Sequence, residues 1–442
     1  MSLKKIVKKG LIKIAKSNQG TKLQKLLRGI SEIVDNEASR AFRSEMGKRL
    51  AVNEIVVARE EILQKNLANE VHAENKIKVR FFHCNENTIN VIQTVCEMFQ
   101  KDQRFDVQVV LFGGSYAAMI AQMNELELRY ITDVDYNIEQ DKPDISVVYH
   151  LEIIYPPKLQ NIRAHTKMLV LLPLSIGSIW FGPRTVSRMH LDQFNADMCF
   201  VGNLCYDRLI EPVGKSVIER MSPPQFDLLY RKFSEKVVYP TGWEKLNGKK
   251  TVMWMTDHGL KRDIVSDEVS FDLYFHSIIN YFSQHEDMGL ILRLHFALLE
   301  ELLRTYWTLA DYEKFRRFCD DSPNIVWDDT NDYLIGLAIA EASIVDVNCS
   351  LMYYTLGARK PIGILLRYDG PVGVNNPELV DCYYQIRGEE ECRTFLDMVR
   401  NNEDPMKDLR DNAFDLYVTS LDGKNGERIY NKIIERYRKI CD

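Results

Sequence analysis

No Cys-x-x-Cys pair occurs anywhere in the 442 residues, although nine cysteines are present. An odd number of thiols in a long chain, without paired spacing, speaks against a disulfide framework or a zinc ribbon and points to a reducing compartment. No window approaches the roughly 20 apolar residues that span a bilayer. The N-terminus has neither a continuous apolar run nor a small-residue cleavage site, so a secretory signal is not expected and a cytoplasmic location is. No Gly-x-x-x-x-Gly-Lys-Ser/Thr loop is present, which speaks against a P-loop ATPase, and no Gly-x-Gly-x-x-Gly follows the first strand, which weighs against a dehydrogenase. Gly-x-Ser-x-Gly and His-Glu-x-x-His are also missing, so the expectation is chemistry without a metal or a resident cofactor.

Acid is missing from the first 30 residues. Residues 1–30 hold nine Lys and Arg and no Asp or Glu, so they contribute +9 to a chain whose net charge is −6, leaving −15 for the remainder. Ile6, Val7, Leu11, Ile14 and Ala15 fall on one side of a helix with lysines flanking them. Such a basic amphipathic helix can lie in the headgroup layer of an anionic membrane or pack its apolar stripe on the body of the protein. The acidic body offers no broad basic surface, and no nucleic-acid partner is expected.

From Lys76 onward, short apolar runs alternate with helical patterns: "IKVRFFHC", "FDVQVVLFGG", "DISVVYHL", "KMLVLLPLSIG" and "DMCFVGN", then "KKTVMWMTDHG", "MGLILRLHF", "NIVWDD", "ASIVDVN" and "PIGIL". Near-continuous Val/Ile/Leu runs between helices mark parallel sheets covered on both faces. The expected organisation is a helical N-terminal segment (1–75), a first α/β domain (76–220), a Pro-bearing linker (221–245), a second α/β domain (246–423) and a bracing C-terminal helix (424–442). Two doubly wound Rossmann-like domains imply a cleft, with ligands beyond the carboxyl ends of the strands.

In the second series those strand ends carry chemistry. Asp257, His258 and Lys261 follow one strand, Arg293 and His295 another, and Asp328 and Asp329 a third. Asp346 ends a fourth, where Asn348, Cys349 and Ser350 open a helix whose free N–H groups favour an anion. Each has an ordinary reading as a helix cap, a solvated turn or a packed histidine. Their convergence on one sheet edge suits a nucleotide diphosphate, which needs cations and N–H donors.

These segments resemble the CDP-glycerol glycerophosphotransferase-like family of GT-B enzymes, which build teichoic-acid-like and capsular polymers at bacterial membranes. The resemblance runs from about Lys76 to Leu366. It implies that His258 and Lys261 lie near donor phosphate and that His295 matches the family's Arg/Lys-x-His-Pro histidine facing the leaving group. It also implies that Asp346 precedes a serine pair, here Cys349 and Ser350. Phe296 replaces the proline. The family's acceptor-side Trp-His-Gly-Thr is absent, the corresponding "LLPLSIGSIWFG" offering Ser175, Gly177 and Ser178 but no histidine. His83, at the end of the first strand, is the local substitute for a general base, with His150 a weaker one.

The resemblance therefore implies a metal-independent transferase without cofactor, moving a glycerol-phosphate-type or glycosyl group from a CDP-linked or other nucleotide-diphosphate donor to a glycan or polyol-phosphate hydroxyl. The inner face of the bacterial membrane, contacted through residues 1–30, is the expected place of work. A nucleotide-sugar glycosyltransferase of capsule or lipopolysaccharide synthesis and a non-catalytic GT-B-like binding protein are the alternatives.

Overall fold

A computed structural model describes residues 76–84, 86–113, 116–149, 156–172, 196–201, 217–257, 270–330, 332–346, 352–366, 381–418 and 420–441. The basic N-terminal segment lies outside the described residues. One compact unit comprises Lys76–Phe82, Asn87–Val107 and Ile138–Asp442; the described parts of the other fall in His83–Glu86 and Gln108–Asn137.

The first sheet has seven strands: β1 (Ile77–His83), β2 (Phe105–Leu111), β3 (Tyr130–Thr132), β4 (Ile145–Val148), β5 (Met168–Leu171), β6 (Met198–Val201) and β7 (Val217–Arg220), in the order β3-β2-β1-β4-β5-β6-β7. β2, β4 and β5 are buried along their whole length, as strands covered on both faces must be. Three strands escape the sequence pattern. β3 is three residues long, β7 reads Val-Ile-Glu-Arg with no residue fully buried, and β13 of the second sheet, Tyr384–Ile386, also has three residues.

One strand residue of the first sheet runs against type. Arg80 of β1 is 3 % exposed. Its Nε donates to Asp141 at 2.7 Å, Nη2 to Asp106 Oδ2 at 2.8 Å and Nη1 to the Asp106 carbonyl at 2.7 Å. Two carboxylates and a carbonyl supply the fixed fork that a desolvated guanidinium requires.

The second sheet comprises β8 (Lys250–Met255), β9 (Met288–Arg293), β10 (Ile325–Trp327), β11 (Ala342–Asp346), β12 (Ile362–Leu365) and β13, ordered β10-β9-β8-β11-β12-β13 with every pairing parallel. Alternation decides which face each residue serves. Val252 and Trp254 join a core with Leu290, Ile344 and Leu365, while Met253 and Met255 join the opposite core with Ile291, Val345 and Ile364. Each such side chain contributes roughly 1.5–3 kcal/mol. Trp254 stacks on Phe271 of the covering helix Phe271–Gln284, their ring centroids 5.5 Å apart.

Lysines close several helices. Lys245 Nζ donates to the carbonyls of Cys319 at 2.6 Å and Ser322 at 3.0 Å, beyond the helix Leu309–Asp321. Lys360 donates to the carbonyls of Leu337, Ala338 and Ala340 after the helix Tyr333–Ile339. An ammonium there satisfies orphan carbonyls and opposes the negative end of the dipole.

The last helix, Asn425–Cys441, packs on Gln93–Lys101 of the first series: Tyr430 meets Phe99 edge to face at 4.8 Å, and its hydroxyl donates to Asp102 at 2.5 Å. Its first turn is capped from elsewhere. Asp227, on the helix Gln225–Ser234, accepts the backbone N–H of Asn425 at 2.8 Å and of Gly426 at 2.7 Å. No helix among the described residues is long and apolar enough to cross a membrane.

Candidate functional site

The strand order of the second sheet reverses direction at β8/β11, and doubly wound sheets place ligands at that switch point, beyond the carboxyl ends. Four strand ends stand there side by side in the order β10, β9, β8, β11, bringing Asp328, then Arg293 and His295, then Thr256 and Asp257, then Asp346 to one edge. Of the sequence-derived candidates that flank this point, His258, Lys261, Asn348, Cys349 and Ser350 lie outside the described residues, as do Ser175, Gly177, Ser178 and His150.

Hydrogen bonds from both its backbone and its side chain hold His295. Its backbone N–H donates to Thr256 Oγ1 at 3.0 Å, tying the end of β9 to the end of β8. Its side chain caps the following helix Phe296–Thr305, Nδ1 accepting the Ala297 N–H at 3.2 Å. With Nδ1 used as an acceptor, a neutral ring carries its proton on Nε2. In that tautomer Nε2 is the donor nitrogen of the ring. The second backbone bond, from Thr256 N–H to the Arg293 carbonyl at 3.2 Å, completes the junction. Thr256 escaped the sequence reading because a threonine at a strand end carries no signal of its own.

Arg293 and Asp328 are engaged with each other. Arg293 Nη1 donates to Asp328 Oδ2 and to the Thr330 carbonyl, both at 2.9 Å. Asp328 Oδ1 accepts the Thr330 N–H at 2.9 Å and its hydroxyl at 2.6 Å, so both carboxylate oxygens are committed to an Asx turn and an ion pair. The Arg293 guanidinium also lies 5.9 Å from the ring centre of Tyr333. Asp329 points outward, 68 % exposed, and pairs with Arg316 at 3.0 Å. All three are engaged with other protein groups at or near the site.

Asp346 is fully buried. Oδ2 accepts the Asp257 N–H and Oδ1 the Ser270 N–H, each at 3.0 Å. Burial pushes its carboxyl up to about 7, with the charge of Asp257 adding to the rise and the two amide hydrogen bonds opposing it.

His83 occupies a different setting. It is 0 % exposed, and burial lowers its imidazole to about 3, so the ring is neutral through the physiological range but a weak base sealed from solvent. The structure lends no support to a catalytic His83. The chain also holds an Asp-x-Asp spacing after β3, Asp133-Val-Asp135. Asp133 accepts the Tyr116 hydroxyl at 2.5 Å and Asp135 the Thr132 hydroxyl at 3.1 Å, and no group of three metal-ligating side chains occurs among the described residues.

No protein-family model and no curated protein matches the chain. Solved structures do. A UDP-N-acetylglucosamine 2-epimerase is 12 % identical with a TM-score of 0.55, over 83 % of this chain and 97 % of the other. MnaA from S. aureus, in a structure with UDP, is 14 % identical with a TM-score of 0.55, over 82 % and 97 %. A variant of the wall teichoic acid polymerase TagF is 14 % identical with a TM-score of 0.54, over 88 % and 97 %. At such identities the likeness establishes architecture: two parallel sheets with covering helices, the two-domain α/β GT-B arrangement that the sequence resemblance implies.

Proposed function

We propose that this GT-B chain is a transferase that binds a nucleotide-diphosphate donor at the β8/β11 switch point and passes a glycerol-phosphate-type or glycosyl group to a hydroxyl of a cell-surface polymer. The observation that carries this reading is the His295 junction. A histidine fixed by Thr256 and Ala297 at the carboxyl end of β9, beside the switch point, suits the need of a departing phosphate, where negative charge grows as the donor bond breaks. His258, Lys261 and the Ser350 helix start would supply the remaining cation and N–H donors, with Ser175, Gly177 and Ser178 toward the acceptor. No resident cofactor or metal is required by these roles. The acceptor's base is a group other than the sealed His83 or a water.

The neighbours frame the donor choice. TagF is a wall teichoic acid polymerase, and the MnaA structure contains UDP. The likeness to TagF supports the CDP-linked donor that the sequence resemblance implies, and the UDP structure supports a second reading, a nucleotide-sugar enzyme with the same cradle. A thermal-shift panel of CDP, CMP, UDP, UMP, GDP, CDP-glycerol and UDP-N-acetylglucosamine separates them, since a ligand of the native state raises its melting temperature. Stabilisation by cytidine nucleotides, with product formed from CDP-glycerol, is expected. His295→Ala should reduce turnover about 10²–10³-fold, the usual loss of one donor to developing charge, while melting within a few degrees of the wild type. Turnover of the variant at the wild-type rate would remove His295 from the mechanism, and no response to any nucleotide would remove the transferase reading altogether.

A further inference from the structure

One hydrogen bond beside the switch point breaks the rule of its sheet. In a parallel ladder a residue donates its N–H to one residue of the neighbouring strand and accepts, at its carbonyl, the N–H two residues further on. β8 and β9 keep that rule from Lys250 opposite Met288 to Met255 opposite Arg293, and Thr256 N–H still donates to the Arg293 carbonyl at 3.2 Å. The next link should run from His295 N–H to the Thr256 carbonyl. It runs instead to the Thr256 side chain, Oγ1 accepting at 3.0 Å.

A side-chain oxygen lies off the plane of the ladder, so this last link draws the chain leaving β9 out of the sheet and toward one face. Alternation identifies the face. Thr256 falls on the side of Val252 and Trp254, and those two share a core with Leu298 and Leu302 of the helix Phe296–Thr305. The hydroxyl therefore lies on the face that the outgoing helix covers. His295 is the residue at the bend, extended at φ −60° and ψ 135°, and its ring turns back to accept the Ala297 N–H at 3.2 Å. Thr256 is 2 % exposed, so little water reaches its hydroxyl to compete for the bond.

We propose that Thr256 is a positioning residue for His295: its hydroxyl, standing in for a ladder carbonyl, sets the bend at which the imidazole leaves the sheet and so the place of that ring beside the donor phosphate. The consequence for turnover rests on the donor-site reading above; the geometry does not. Position 256 then requires an oxygen on Cβ. Valine matches threonine in shape but offers no acceptor, whereas serine keeps the oxygen and loses only a methyl group.

The test uses the full chain as wild type, Thr256→Val, Thr256→Ser, His295→Ala and the Thr256→Val/His295→Ala double variant. Without ligand, hydrogen exchange at the His295 amide and the ¹⁵N resonances of its ring, assigned by their loss in His295→Ala, report the link. Turnover is then measured with whichever of CDP-glycerol and UDP-N-acetylglucosamine the wild type consumes in the presence of a poly(glycerol phosphate) acceptor. Thr256→Val should speed exchange at the His295 amide, move the ring resonances and lower kcat about 10–100-fold with KM within about twofold, as a misplaced catalytic group does. In the His295→Ala background the same change should lower kcat by less than about twofold, because Thr256 acts through that ring. Thr256→Ser should recover most of the loss and the wild-type ring resonances.

Unchanged exchange and ring resonances in Thr256→Val overturn the link. A displaced ring with wild-type turnover, or a loss that persists in full in the His295→Ala background, overturns the positioning role, since a hydroxyl that merely closed the sheet would act regardless of the imidazole. If Thr256→Val does not fold, Thr256→Ala takes its place, and in the wild type a His295 amide that exchanges as fast as in an unfolded chain overturns the link by itself. A wild type that consumes neither donor overturns the functional reading instead, and is told apart because the exchange and the ring spectrum are recorded without ligand.

Discussion

Asn90 Nδ2 donates a 2.6 Å hydrogen bond to the hydroxyl of Tyr333. Asn90 belongs to the short 3₁₀ turn Glu86–Val91 after β1, and Tyr333 opens the helix after β10. Tyr333 is 8 % exposed and lies under the Arg293 guanidinium, so one buried ring touches both the wall of the candidate site and an element of the first series. The bond should behave as a coupled pair. Asn90→Ala and Tyr333→Phe are each expected to cost about 1 kcal/mol, and the double variant less than the sum by a comparable coupling energy. Urea melts of the four proteins measure it, and strict additivity would show that the bond adds nothing beyond packing.

Acid stability should depend on His83. Burial lowers its folded pKa to about 3, against an ordinary 6.5 in the unfolded chain. The unfolded state therefore binds the extra proton first, and the stability associated with this ring is fully present above pH 6.5 and is lost as pH falls toward 3. Replacing it by a residue that does not titrate, His83→Gln, should flatten the acid limb of the stability curve over that window. Parallel acid limbs in the two proteins, measured by melting temperature at a series of pH values, would mean that the ring is not held neutral.

Much of this fold is legible in the sequence because parallel strands buried on both faces must be apolar end to end. "VQVVL", "ISVV" and "MLVL" announce β2, β4 and β5 without help. The three-residue β3 and β13 and the half-exposed β7 give no such run, since a short edge strand buries too little to select for one. The apolar pattern over residues 296–321 does not by itself separate the helices Phe296–Thr305 and Leu309–Asp321. The capping box that divides them is explicit in Thr308 and Asp311, whose side chains each accept the other's backbone N–H.

The candidate site is half legible for a different reason. Strand ends are found by pattern, and so Arg293, His295, Asp328 and Asp346 are correctly placed on one edge. What each side chain does there is set by partners far away in sequence. Asp328 and Asp346 look alike as acids after apolar runs, yet one salt-bridges an arginine while the other accepts two backbone amides from residues 89 and 76 positions distant. Pattern cannot distinguish a ligand from a brace.

The start of the last helix provides the sharpest test of such long-range fitting. A Cβ added to Gly426 would lie 2.6 Å from Thr94 Oγ1, 2.8 Å from Thr94 Cβ and 2.9 Å from the Thr94 backbone carbon. The hydroxyl could rotate away, but a backbone carbon could not, so the two helices must separate. Alanine is the better helix former by about 1 kcal/mol, which in an exposed helix would make Gly→Ala stabilising. Here overpacking, typically 1–3 kcal/mol, opposes that gain, and separation also lengthens the bonds from the Asn425 and Gly426 amides to Asp227. Gly426→Ala should therefore destabilise the protein, by about 1–2 kcal/mol after the propensity gain is subtracted. Asp227→Ala, which leaves those same buried amides without their acceptor, should cost about 2 kcal/mol. Because both changes act on one contact, the double variant should lose less than the sum in denaturant melts. A Gly426→Ala protein as stable as the wild type would show that the helix is free to shift away from Thr94 and that its docking there is not fixed by this close approach.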